Sequence, residues 1–216
     1  QVIENEAHVV MTQLERNHVD LFSGVASLAD EHTVKIDGNG ETIKADHIMI
    51  ATGTIPARPD NIPFEEGFIV DASGVGTFTD LPRSLIVVGA GPIGTEYATM
   101  LALLNIKVTL VDQKSVPLDF VDPEIAEALS YHMRDIGIIL RFGEEVTSIG
   151  KTKGGKVHTK LKSGKAILAD ALLYAVGRHG ATEGLDLDSL NIKHDTRGRI
   201  IVNEHFQTTV PHIYAA

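Results

Sequence analysis

The sequence predicts an α/β protein with a parallel sheet at its centre, and three features carry that prediction. Ser84-Leu85-Ile86-Val87-Val88 has the length and β-branching of a buried parallel strand. The chain then turns through Gly89-Ala90-Gly91-Pro92-Ile93-Gly94 and enters residues 95–104, which are rich in good helix formers. A second β-rich run, Lys107-Val108-Thr109-Leu110-Val111, ends on Asp112. Strand, glycine turn, helix, strand and acid follow one another in the order of a Rossmann-like dinucleotide-binding unit.

Each part of that unit has a physical reason. Gly89 permits the tight exit from the strand, and Gly91 presents no side chain to an approaching pyrophosphate. Gly94 lets the helix sit close to the sheet. The free N–H groups and the positive dipole end of the helix then face the phosphates. Asp112 lies about 20 residues further on, where a carboxylate accepts ribose hydroxyls. A glycine pattern alone is weak, so the flanking strands and the acid carry the reading.

The other elements follow from periodicity and turn chemistry. Residues 2–17 read as a helix, because Ile3, Ala7, Val10, Met11 and Leu14 recur at helical spacing. Residues 19–22 read as a short strand leading to Gly24. Residues 33–36 and 41–44 flank Asp37-Gly38-Asn39-Gly40, a strong hairpin signal. Residues 47–50 read as a buried strand. Pro56, Pro59 and Pro63 make the next stretch an extended linker, and residues 62–82 a connector with short apolar pieces. After Asp112, residues 121–136 read as a helix with Asp122 as N-cap, Pro123 at the first helical position and Gly137 as terminator. Residues 138–140 would be the third parallel strand. A three-stranded β meander is expected from residues 146–149, 157–161 and 166–168, joined by Gly-containing turns. Residues 171–176 read as another buried strand, and residues 200–216 have strand character.

Composition narrows the function. A hydrophobic fraction of 43 % over 216 residues supports a sizeable core. A net charge of −10 without a Lys/Arg cluster argues against nucleic acid or an anionic membrane surface as partner. No apolar run approaches the ~20 residues of a membrane span, and no signal peptide is read, so a cytoplasmic protein is expected. Zero cysteines exclude disulfides, thiolate metal sites and a redox dithiol within this chain. The ten histidines lack metal-ligand spacing, and no metal site is expected. Gln1 begins inside a helical pattern and the chain stops on a strand-like run, which reads as a piece of a larger protein.

Four phrases resemble one family, the flavoprotein pyridine nucleotide-disulfide oxidoreductases, in which a nicotinamide domain is inserted into an FAD domain. Its second FAD motif, A-T-G-x-x-P, appears here as Ala51-Thr52-Gly53-Thr54-Ile55-Pro56. Its nicotinamide motif, G-x-G-x-x-G-x-E, runs from Gly89 to Glu96, and its G-R exit phrase is Gly177-Arg178. Thr209-Val210-Pro211-His212-Ile213-Tyr214-Ala215 is similar to the third FAD motif. The resemblance implies the two-dinucleotide-binding flavoprotein fold, with FAD-binding parts at 1–62 and 185–216 and an NAD(P)-binding Rossmann domain at 63–184. Phrases such as Glu15-Arg16-Asn17-His18 and Leu129-Ser130-Tyr131-His132 are similar to the transhydrogenase branch of the family, although dihydrolipoamide dehydrogenases share the skeleton.

That resemblance implies hydride transfer between NADPH and NAD through FAD, the flavin supplying the chemistry and the protein positioning and electrostatics. Gly89, Gly91 and Gly94 would seat the pyrophosphate, with Pro92 and Ile93 contributing backbone. Glu96 is either a residue near the nicotinamide and flavin, by family analogy, or a first-turn acid favoured by the helix dipole. Asp112 favours the 2′-hydroxyl of NAD and repels the 2′-phosphate of NADP. Lys114 and Gln113 either offset that repulsion or form a solvated loop. Val146 and Gly177 are carried over as backbone contacts to nucleotide; Val146 reads equally as a plain strand residue. Tyr97 reads as core, with a flavin gate as the family alternative. Ala26, Ala51, Thr52 and Gly53 match the family's flavin contacts. The family's amino-terminal FAD phosphate loop, redox-cysteine segment and carboxy-terminal dimerisation domain are not among these residues. The chain alone is therefore expected to be inactive and to hold FAD weakly, while the full-length protein is expected to form a homo-oligomer. A nucleotide-binding module without turnover is the reading from a different class.

Overall fold

The structure is a computed structural model that describes residues 2–38 and 40–216. Asn39, in the expected hairpin turn, lies outside the described residues, as does Gln1. Two compact units make up the chain: Gln1–Gly53 with Gly180–Ala216, and Thr54–His179.

The first unit opens with helix α1 (Val2–Arg16), none of whose residues is buried. Strands β1 (Val25–Asp30), β2 (Thr33–Asp37) and β3 (Glu41–Lys44) form an antiparallel sheet in sequence order. The hairpin expected around Gly38 is the β2–β3 pair, with Val34 opposite Ile43. The short strand expected at residues 19–22 does not form, and Val19, Leu21 and Phe22 are exposed. The strand starts instead after Gly24, whose φ of +157° and close approach to Ile36 leave no room for a β-carbon. Strand β4 (Ile48–Ile50) buries both isoleucines and exposes Met49.

The second unit begins with β5 (Thr54–Pro56), a strand that leads into the stretch read as a proline linker. The expected connector at residues 62–82 also holds a strand, β6 (Ile69–Asp71), buried at all three positions. Three residues give no periodicity to read, and the partner strand lies about a hundred residues downstream. Then come β7 (Ser84–Val88), α2 (Pro92–Leu103), β8 (Lys107–Asp112), α3 (Pro123–Asp135) and β9 (Ile139–Phe142). The antiparallel meander is β10 (Val146–Lys151), β11 (Val157–Leu161) and β12 (Ala166–Ala169), followed by β13 (Ala171–Tyr174) and β14 (Arg178–Gly180).

Strand order in the central sheet is β6-β13-β7-β8-β9, all parallel. Its packing explains why β7 is apolar without alternation. Leu85 and Val87 face a core shared with Ala98 and Leu101 of α2 and Met133 of α3. Ile86 and Val88 face the opposite core, with Ile149, Val157 and Leu161 of the meander. A strand covered on both faces must be apolar at every position.

After this unit the chain returns through a 3-10 turn (Leu187–Leu190) to β15 (Ile213–Ala215), which lies parallel to β4. Of the strand character expected over residues 200–216, only these last three positions form a strand; Ile200 makes an isolated bridge to His194. Leu28, Ile48, Ile50, Leu187, Ile192 and Ile213 form the core of the first unit. Among the described residues no helix is long and apolar enough to cross a membrane. The fold class expected from the sequence is the one observed: Rossmann-like α/β with a three-stranded meander.

Candidate functional site

The carboxyl ends of β7, β8 and β13 open into a cavity of about 370 Å³ within the second unit. Open parallel sheets place ligands at this edge, because the loops leaving the strands diverge there and the helix start points in. Val88, Gly89 and Gly91 form one wall, and Asp112, Gln113 and Lys114 another. Glu144, Glu145 and Val146 at the start of β10 face Tyr174, Ala175, Val176 and Gly177. Val111, Asn61 and Ile62 complete the lining.

The three glycines of the turn differ in what demands them. Gly89 has φ +104°, and a β-carbon there would stand 2.7 Å from the Ala175 carbonyl oxygen. At Gly94 a β-carbon would overlap the Gly89 carbonyl oxygen, so glycine is what lets α2 pack on the turn. Gly91 is different: its φ is −77°, and a β-carbon would meet nothing within 4 Å. The protein's own packing does not require glycine at Gly91, yet the position borders the cavity. Helix α2 starts at this residue with no side-chain cap and with Pro92 at its first turn. Its first amides are thus not taken up by a capping side chain.

Asp112 closes the turn from the other side. Its Oδ2 accepts from the Ala90 amide at 2.5 Å and its Oδ1 from the Lys114 amide at 2.8 Å. One lone pair on each oxygen stays free for a hydroxyl donor. The Lys114 side chain turns elsewhere and donates to Asp119 at 2.6 Å, which holds its ammonium above the ordinary lysine range. The loop before β10 is tied to this wall, with Gly143 donating to the Lys114 carbonyl and Glu144 to the Asp112 carbonyl.

Sequence reasoning missed Glu144 and Glu145, whose only signal was their place beside Val146. Glu144 accepts from Ser163 Oγ at 2.9 Å and faces Lys165 Nζ at 3.4 Å. The Ser163 hydroxyl, aided by Lys165, holds its carboxyl below the usual range. Glu145 accepts from Lys162 at 2.8 Å. Asn61, Ile62 and Tyr174 were also missed, the first two because they lie in the proline-rich stretch. Burial pushes the Tyr174 phenol up. Its ring meets Phe64 edge-on at 5.9 Å, and Phe64 in turn carries the Arg58 guanidinium at 5.1 Å.

Of the sequence-predicted residues, Gly89, Gly91, Asp112, Lys114, Val146 and Gly177 come together on the cavity wall. Pro92, Ile93, Gly94 and Glu96 lie in the first turns of α2 outside the lining, with Glu96 exposed. Tyr97 packs against the core and donates to the Ala72 carbonyl at 3.2 Å. Ala26, in β1, and Ala51, Thr52 and Gly53, just after β4, belong to the first unit and are exposed. Among the described residues no group of three or more His, Asp or Glu could hold a metal ion.

A family model described as pyridine nucleotide-disulphide oxidoreductase matches residues 1–216. The soluble pyridine nucleotide transhydrogenase of Mycobacterium tuberculosis (strain ATCC 25177 / H37Ra) is 46 % identical over 218 residues, covering 99 % of this chain and 46 % of that protein. Its counterpart in Yersinia pestis (strain Pestoides F) is 42 % identical over 219 residues, covering 100 % of this chain and 47 % of that protein. The chain thus spans about half the length of these relatives. Among solved structures, the HOCl-induced flavoprotein disulfide reductase RclA from Escherichia coli matches with TM-score 0.82 at 27 % identity, over 99 % of this chain and 50 % of that one. LpdA from Mycobacterium tuberculosis matches with TM-score 0.90 at 24 % identity, over 100 % of this chain and 49 % of that one, a likeness of fold.

Proposed function

The chain belongs to the pyridine nucleotide-disulphide oxidoreductase family, and from that premise we propose that it forms part of a flavin-dependent oxidoreductase exchanging hydride between NADPH and NAD⁺ through FAD. The observation that carries the reading is the room kept at Gly91, between the uncapped start of α2 and the Asp112 carboxylate. A dinucleotide fits that arrangement: pyrophosphate on the helix start, adenosine ribose on Asp112.

NADPH and NAD⁺ are the substrates, and both use this one site in turn. NADPH gives up hydride and leaves as NADP⁺; NAD⁺ then enters and leaves as NADH. Gly89, Gly91 and Gly94 shape the pyrophosphate seat, with the Pro92–Ile93 backbone at the helix start. Val146 and Gly177 line the adenine and nicotinamide sides, and Glu96 is carried over by family analogy as a residue towards the nicotinamide and flavin. Ala51, Thr52 and Gly53 follow a parallel strand, are small and exposed, and with Ala26 fit a cofactor that approaches backbone closely; Gly53 has φ +71° and open space at its β-carbon position. FAD held there would supply hydride acceptance and donation. The whole protein assembles as a homo-oligomer and works in the cytoplasm, where both nucleotide pools are found.

Calorimetric titration of the 216-residue chain with NADH and NADPH tests the site. Comparable affinities are expected for a protein that must bind both. An NADH preference of about tenfold or more, 1.4 kcal/mol, favours a second reading, a disulfide reductase like the one to which the fold is similar. Assays of the full-length protein for transhydrogenation and for disulfide reduction separate the two. Binding of neither nucleotide refutes the site.

A further inference from the structure

Among the described residues that line the cavity, Lys114 is the single cation, set against Asp112, Glu144 and Glu145. Lys162 and Lys165 stand nearby but are taken up by Glu145 and Glu144. The Lys114 amide is fixed on Asp112, so its ammonium can reach the space beside that acid. It is paired instead with Asp119 Oδ1 at 2.6 Å.

A built turn places Asp119. The Leu118 amide donates to the Ala90 carbonyl of the glycine turn at 2.9 Å, and the Val121 amide closes back on the Leu118 carbonyl at 2.9 Å. Leu118 adopts φ +48°, a left-handed conformation that a branched residue avoids. The Lys114 and Asp119 side chains are 52 % and 45 % exposed, and an ion pair in that setting adds little stability. A strained turn that holds a weak ion pair at the rim of a binding cavity calls for a reason other than stability.

We propose that Asp119 is a specificity-determining residue of the nucleotide site: by neutralising Lys114 it sets the balance between dinucleotides with and without a 2′-phosphate. The inference rests on the nucleotide reading above and deepens it. Asp112 alone favours the unphosphorylated ribose. Lys114 alone would attract the 2′-phosphate through a charge-assisted contact. Asp119 is the counterweight. A 2′-phosphate must draw Lys114 away from it.

The test is a cycle of Asp119→Asn and Lys114→Gln, each titrated with NADPH and with NADH at one ionic strength. Asp119→Asn is isosteric and exposed. It should tighten NADPH by about tenfold or more, 1.4 kcal/mol, while NADH stays within about threefold. Lys114→Gln should weaken NADPH by a similar factor and leave NADH nearly unchanged. In the Lys114→Gln background the gain from Asp119→Asn should shrink below about threefold, because the cation it would release is gone. An unchanged NADPH-to-NADH ratio in Asp119→Asn, with both nucleotides still binding, overturns the proposal. So does an equal shift for both, which is what a merely structural role gives. If the unaltered chain binds neither nucleotide, the site reading has failed and this inference falls with it.

Discussion

Replacing Gly91 with alanine should separate binding from folding. The backbone there, φ −77° and ψ −176°, is open to any residue, and the added β-carbon meets nothing within 4 Å. Two small terms then set the stability change. Alanine is a poorer N-cap than glycine, which costs up to about 1 kcal/mol. The alanine also restricts the unfolded chain, which returns about 0.4–1 kcal/mol. The net is about zero, within roughly 0.5 kcal/mol. The same methyl occupies space that a pyrophosphate needs, so NADH affinity should fall by about tenfold or more, at least 1.4 kcal/mol. Gly94→Ala is the contrast, because its β-carbon would overlap the Gly89 carbonyl oxygen. Either α2 or the turn must shift, costing on the order of 3 kcal/mol. Urea unfolding midpoints and calorimetric NADH titrations of the two variants decide the matter. Normal NADH binding by Gly91→Ala would show that the empty space is not the ligand's. Marked unfolding of Gly91→Ala would show that the turn needs this glycine for itself.

Two further outcomes concern stability. Thr159 is fully buried in β11, and its hydroxyl has no hydrogen-bond partner among the described residues. Thr159→Val keeps the shape and removes the unsatisfied oxygen, so it should stabilise the chain by about 1 kcal/mol or more; a lower urea midpoint would contradict this. Asp71, 2 % exposed, pairs with Arg58 Nε at 2.5 Å and caps the amides of Ser73 and Gly74. Burial opposes its ionisation, but Arg58 and the two amides outweigh burial and hold the carboxyl below its ordinary 3.8. A depressed carboxyl stabilises the fold above its unfolded-state value, and that contribution is lost as pH falls through the folded-state value. Stability should therefore decline as pH drops below about 4. Asp71→Asn should cost about 1–2 kcal/mol at neutral pH, a modest figure because Arg58 is largely exposed, and should flatten that acid slope. An unaltered slope in pH-dependent unfolding would remove Asp71 from the acid response.

Much of the fold is legible in the sequence, because β7, α2 and β8 carry their own local signals. A strand covered on both faces is apolar throughout, and a helix that touches a turn demands glycine at the contact. Those constraints act within a few residues of sequence, as does the Asp-Gly signal between β2 and β3. The same locality makes Gly89, Gly91 and Asp112 readable as neighbours. The strands that escape such reading, β5 and β6, are three residues each, and β6 exists because β13 supplies its partner from far along the chain. Conversely, Leu21 and Phe22 have strand-like composition but no partner strand, and composition alone builds none.

The sequence by itself thus determined the order of elements, the glycine turn and the acid that follows it, since short-range sterics and hydrogen bonding dictate these. Tertiary structure alone decided which distant groups share the cavity, Glu144 and Glu145 beside Asp112 and Tyr174 beside Ile62, and that Asp119 holds the Lys114 ammonium. Those neighbours are set by sheet order and by a strained loop turn, and side chains meeting across such distances leave no periodic trace in the chain.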